Sequence, residues 1–244
     1  MIDPRESIIA QQVSQIQKII IIASGKGGVG KSMVACSLAL LFLKQGKRVG
    51  LLDLDMYGPS AHVILGANPH CFPEEDNGIL PFNTHGISFM STVFFTKDKP
   101  AAFRGNDITN IMIELLAITR WDKQDVLLVD MPPGLGDEML DILHLLPNKE
   151  FLVVTTSSKV SYASVEKLLL LCQEINVPLL GVIENMADGS SKFIQEQLQK
   201  IHVPWLGGIS YDTDLEHCIG LSELLLKSKM AQQLHHIITT HSVV

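Results

Sequence analysis

A β-branched apolar run, residues 18–23 (KIIIIA), leads straight into a glycine-rich stretch, residues 24–32 (SGKGGVGKS). Helical spacing of Val34, Leu38, Leu41 and Phe42 follows, with Gly46 placed to end the helix. A run with no alternation is the pattern of a strand buried on both faces of a parallel sheet. Strand, loop and helix in this order constrain the fold more than any other feature of the 244 residues. Gly25, Lys26, Gly27, Gly28, Val29, Gly30, Lys31 and Ser32 match G-x-x-x-x-G-K-[ST]. Glycines there let backbone N–H groups converge on phosphate oxygens, and the helix N-terminus adds partial positive charge. Lys31 is then expected to reach the β- and γ-phosphates of ATP, and Ser32 to place its hydroxyl on Mg²⁺, with Met33 next to them.

Similar apolar runs recur at residues 49–52, 125–129, 151–155 and 179–183, with helical patterns between most of them. They predict an α/β fold with a doubly wound, mostly parallel sheet, as one domain over residues 1–244. Residues 66–107, rich in Pro, Gly, Asn and His, read as surface loops, with residues 87–92 a possible additional strand. Residues 222–240 carry apolar spacing for one terminal helix laid on the sheet.

Two segments put acids where parallel strands end, the edge at which open α/β sheets bind ligands. Asp130 closes VLLVD ahead of Met-Pro-Pro-Gly, the pattern of a Mg²⁺-holding carboxylate followed by a mobile loop. Asp53 and Asp55 lie in LLDLDMYGPS, where one could orient a magnesium-bound water and the other the attacking water, or the pair could close an Asx turn.

Composition narrows the partners. A formal charge of −7 argues against nucleic acid, which calls for a basic face. No run of about 20 apolar residues predicts a membrane span, and the polar N-terminus lacks the form of a secretory signal, so a soluble, cytoplasmic protein is expected. Cys36, Cys71, Cys172 and Cys218 are scattered without a CxxC pair and read as reduced thiols. His235, His236 and His241 have no ligand-spaced acid or cysteine, and His62, His70 and His85 fall in or near the loops, with Cys71 beside His70 a weak hint of zinc. The stretch 224–244 has only Lys227 and Lys229 as basic residues, thin for lipid binding.

Together SGKGGVGKS, GLLDLDMYGPS (residues 50–60), VLLVDMPPGLGD (126–137) and GVIENM (181–186) resemble the Mrp/ApbC branch of the MinD/ParA-type deviant Walker A P-loop ATPases. The resemblance covers nearly the whole chain. It implies a slowly hydrolysing, Mg²⁺-dependent ATP switch working as a homodimer, or as a heterodimer with a related ATPase. Lys26 would reach the phosphates held by the neighbouring subunit, Asp55 would be the switch I acid, Asp130 the Walker B acid, and Asn185 the adenine contact. Two other roles follow from the same resemblance: iron–sulfur cluster carrier or assembly factor, and MinD/ParA-like spatial organiser.

The chain departs from that pattern in places. Mrp-type carriers have a CxxC pair shortly after ENM, and here residues 187–193 read ADGSSKF, so a cluster bridged in that way cannot form. Leu135 stands for the Thr of PPGTGD, Ser157 and Ser158 for Pro-Gln, and Ser210 for the Pro of a G-x-I-P segment. None of these changes removes a phosphate-binding group.

Overall fold

The computed structural model describes residues 3–68, 70, 72–96, 105–134, 136–189 and 192–244. Helix α1 (Arg5–Gln12) leads into β1 (Ile16–Ser24), whose isoleucines 19–22 are all buried. The loop returns the chain as α2 (Lys31–Lys44) to β2 (Val49–Asp53). A five-residue helix α3 (Ala61–Leu65), a hairpin of β3 (Phe82–Thr84) and β4 (Ile87–Ser91), and helices α4 (Val93–Thr96) and α5 (Gly105–Ile118) follow. The remainder alternates regularly: β5 (Gln124–Asp130), α6 (Asp137–Leu145), β6 (Lys149–Thr155), α7 (Lys159–Glu174), β7 (Leu179–Ala187), α8 (Lys192–Lys200) and β8 (Trp205–Ser210). A 3-10 turn (Leu215–Cys218), α9 (Ser222–Leu225) and α10 (Lys229–Thr240) close it.

These strands form one eight-stranded sheet in the order β3-β4-β2-β5-β1-β6-β7-β8. Every pair is parallel except β3–β4. The crossovers run one way from β1 to β4 and the other way from β5 to β8. Right-handed connections therefore lay α2 on one face and α5 to α8 on the other. The core strands are apolar throughout because both faces are covered. α10 packs on α2 and β8, burying Met230, Leu234, Ile237 and Ile238.

The doubly wound, mostly parallel α/β fold is the one the sequence predicts, with three local differences. β4 is the additional strand expected over residues 87–92, but the stretch around it is more than surface loops: β3 adds an antiparallel edge, and Val93 and Phe94 are fully buried. The apolar content of 87–94 outweighs the turn residues around it. β8 forms although WLGGIS carries two glycines, because it pairs with β7 and is covered by α10. The terminal helix is split: Ser228 adopts an extended conformation and its hydroxyl caps α10 by accepting from the N–H of Ala231 (3.1 Å).

Candidate functional site

β1 delivers the loop to the carboxyl edge of the sheet, between β5 and β6. Gly28 and Gly30 have φ of +77° and +81°, the left-handed region that glycine enters without cost. Gly30 is the last residue before α2, so the helix N-terminus opens directly onto the loop. At its start, Ser24 Oγ donates to the Lys26 carbonyl (3.0 Å). Gly25 lies against α7, where a Cβ would come within 2.6 Å of Ser164 and Val165 backbone atoms.

A cavity of about 280 Å³ lies over the loop. Of the residues singled out in the sequence, Lys26, Gly27, Gly28, Val29, Gly30, Lys31, Ser32, Met33 and Asp55 line it. Gly25, Asp53, Asp130 and Asn185 are not among its lining residues. Ser24, Gly58, Ser60, Ile64 and Pro133 complete the lining without having been singled out. Ser24, Gly58, Ser60 and Pro133 at least fall within the quoted segments, whereas nothing in the sequence marks Ile64.

Beneath the loop lies a buried charge cluster. Lys31, 6% exposed, donates from Nζ to Asp130 Oδ1 at 2.5 Å. Asp130 and Asp53 are both fully buried, at paired positions on adjacent strands β5 and β2. Burial pushes the Asp130 carboxyl above its usual range, opposed by the Lys31 ammonium and the nearby Ser32 hydroxyl. Burial, then the Asp130 charge, pushes Asp53 up to about 8, against the pull of Lys31. Asp53 is also committed to the backbone: Oδ1 accepts from the Asp55 N–H (3.0 Å), and Oδ2 from the Ala61 N–H (3.4 Å) at the start of α3. It thereby fixes both ends of the loop that carries Asp55, whose own Oδ1 accepts from the Gly58 N–H (3.1 Å).

Asp130 differs in one respect that bears on a metal. Its Oδ2 is buried without a hydrogen-bond partner, the condition in which a carboxyl oxygen gains most from a cation. With the Ser32 hydroxyl beside it, it fits Mg²⁺, which takes one or two protein oxygens together with phosphates and waters.

Asn185, near the end of β7, is buried and donates from Nδ2 to the Val29 carbonyl (2.8 Å). Its amide thus braces the phosphate loop from the side. At two of the departures, Ser157 donates to Glu184 Oε1 (2.7 Å), while the N–H and Oγ of Ser210 both donate to Gln233 Oε1 (3.0 Å each). Leu135 and Cys71 lie outside the described residues. Among the described residues, no group of three or more His, Cys, Asp or Glu could hold a metal ion. His235, His236 and His241 are exposed on or after α10, and His85 bonds the Leu65 carbonyl (2.8 Å). No helix among the described residues is long and apolar enough to cross a membrane.

Known proteins resemble this chain in sequence and in fold. A Pseudomonas fragi protein named iron-sulfur cluster carrier protein is 38% identical over 178 residues, covering 72% of this chain and 62% of that protein. The chain thus matches less than two thirds of that bacterial relative's length. A Methanocaldococcus jannaschii protein of the same name is 31% identical over 252 residues, covering 96% of this chain and 87% of the relative. Among solved structures, a nucleotide-binding protein from Archaeoglobus fulgidus in complex with ADP superposes with a TM-score of 0.79 at 30% identity, over 93% of this chain and 96% of that one. The ParA family model, described as NUBPL iron-transfer P-loop NTPase, matches residues 15–240. This chain therefore belongs to the ParA/NUBPL iron-transfer family of P-loop NTPases.

Proposed function

We propose that the chain is a Mg²⁺-dependent ATP-binding switch that hydrolyses ATP slowly as a dimer. The observation that carries this reading is the Lys31–Asp130 pair, buried under a loop of Walker A pattern, with the second Asp130 oxygen unpartnered. On ATP binding Lys31 would exchange Asp130 for phosphate oxygens, and Ser32 and Asp130 would hold the metal. Mg²⁺ supplies charge neutralisation at the phosphates. Asp55, in the cavity wall, orients the attacking water, and Lys26 of a second copy reaches the transferred phosphoryl group. Asn185 braces the phosphate loop through its hydrogen bond to the Val29 carbonyl.

ATP turnover per subunit, measured over a wide protein-concentration range with Mg²⁺, tests this. Specific activity should rise with concentration in the wild type and be lost in Lys26→Ala. A fully active Lys26→Ala protein removes the role in trans. ATP affinity unchanged by Lys31→Ala sinks the site assignment.

A second reading, work in iron–sulfur cluster assembly, is favoured by the relatives' names. Cys36 and Cys172 are buried and Cys218 is partly exposed, so a cluster as cargo would use atypical ligands or sit on a cysteine-bearing partner. Anaerobic reconstitution decides: stable brown protein supports direct carriage, and colourless protein confines the role to a heteromeric complex. The spatial-organiser reading is less favoured, since the apolar face of α10 is already packed on α2 and β8. Co-sedimentation with vesicles or DNA in the presence of ATP tests it.

A further inference from the structure

Ser157 lies in the short connection between β6 and α7. Its hydroxyl donates to Oε1 of Glu184 (2.7 Å) and accepts from the backbone N–H of Asp188 (3.5 Å). Glu184 is fully buried, and its Oε2 has no hydrogen-bond partner. The Ser157 hydroxyl thus meets one of the two oxygens of this buried carboxyl group, and losing that bond as well would be costly. Successive side chains on a strand point to opposite faces. Glu184 is held at the connection that carries Ser157, and its neighbour Asn185 meets the phosphate loop, where Nδ2 donates to the Val29 carbonyl (2.8 Å). Met186 follows with φ of +54°, a left-handed conformation uncommon for a methionine, between the two positions that Ser157 ties together.

We propose that Ser157 is a positioning residue for nucleotide binding: through Glu184 it sets Asn185 against the Val29 carbonyl and so holds the middle of the phosphate loop in its binding shape. The fit is close, since a Cβ on Gly30 would lie 2.2 Å from Asn185 Nδ2. With the Val29 carbonyl engaged, the peptides that follow it keep their N–H groups directed to the phosphate side. A serine at this point, where the resembling family has proline, supplies the hydroxyl that makes the link. The inference rests on the ATP-binding reading.

The test is calorimetric titration of the full chain with ATP and Mg²⁺, for wild type, Ser157→Ala, Ser157→Thr, Asn185→Ala and the Ser157→Ala/Asn185→Ala double variant, each checked as folded by circular dichroism. Loss of a hydrogen bond to a buried carboxyl should weaken ATP binding about tenfold in Ser157→Ala, and threonine, which keeps the hydroxyl, should stay within about twofold of wild type. Because Ser157 acts through Asn185, adding Ser157→Ala to Asn185→Ala should cost less than about twofold more, whereas a merely structural role would give multiplying effects. Wild-type affinity in folded Ser157→Ala, or multiplying effects in the double variant, overturns the inference alone. A wild-type protein that binds no ATP removes the phosphate-loop reading and this inference with it.

Discussion

Replacing Lys31 by methionine separates the electrostatic role of its ammonium from the packing of its stem. Lys31 is the cation beside two fully buried carboxyl groups, and its Nζ lies 2.5 Å from Asp130. Methionine keeps a long unbranched side chain and deletes the charge. Breaking a buried ion pair from one side costs about 3–5 kcal/mol when the remaining charge stays ionised. Asp130 can escape by taking up a proton, and that escape sets a ceiling. Each pK unit is worth about 1.4 kcal/mol, so holding a carboxyl of ordinary value 3.8 protonated costs at most roughly 5 kcal/mol at pH ~7.5 and under roughly 2 kcal/mol at pH ~5. Asp53, pushed up to about 8, is already largely protonated in this window and adds little. A raised folded-state value for Asp130 means a penalty that is absent near pH 4 and grows as pH rises. Urea denaturation without nucleotide or Mg²⁺, followed by tryptophan fluorescence, should show Lys31→Met destabilised by about 3–5 kcal/mol at pH ~7.5 and by less than about 2 kcal/mol at pH ~5. Equal penalties at the two pH values would refute the argument and assign the loss to packing.

Three further outcomes are expected. Gly30→Ala combines left-handed strain of about 1–2 kcal/mol with displacement of the Asn185 amide, so it should lower stability by about 2–3 kcal/mol and weaken ATP binding; a loss below about 1 kcal/mol in thermal denaturation would contradict the geometry. In the wild type, the raised Asp53 value contributes a fall in stability as pH rises from about 4 through about 8, because the folded state keeps a proton that the unfolded chain has released. Asp53→Asn should flatten that fall, and an unchanged slope across the window would exclude Asp53 as its source. Leu234→Ala, in the buried face of α10, should cost about 2–5 kcal/mol without any lipid present, whereas a helix free to leave the sheet for a membrane would show almost none.

Local chemistry accounts for the parts of the molecule that were legible in the sequence. Residues 18–46 carry their own instructions: a β-branched run, glycines at the two positions with positive φ, and a helical apolar spacing. Each works within a few residues, and β1, the loop and α2 form as read. β8 was not legible, since two glycines weaken strand propensity and its stability comes from β7 on one side and α10 on the other. The break before α10 turns on a single serine hydroxyl and is invisible to apolar periodicity. In the site, Lys31 and Asp130 were both singled out, but for separate duties. Their pairing across 99 residues emerges only when β1 and β5 are adjacent. Asn185 likewise meets Val29 across 156 residues, and no spacing rule connects them.

The two buried carboxyls of the site are committed in different ways. Asp53 spends both oxygens on backbone N–H groups and so ties the loop to α3. Asp130 spends one oxygen on Lys31 and has the other unpartnered. An arriving phosphate competes for Lys31 while a cation competes for Asp130, and each partner leaves the other exposed to its own ligand. Phosphate and metal should therefore bind with positive coupling, each weakening the pair that opposes the other. The same argument makes either one alone a poor ligand: phosphate without Mg²⁺ strands Asp130, and Mg²⁺ without phosphate crowds Lys31. Under the proposed function, such a site would respond to the complete metal–nucleotide complex rather than to either part alone.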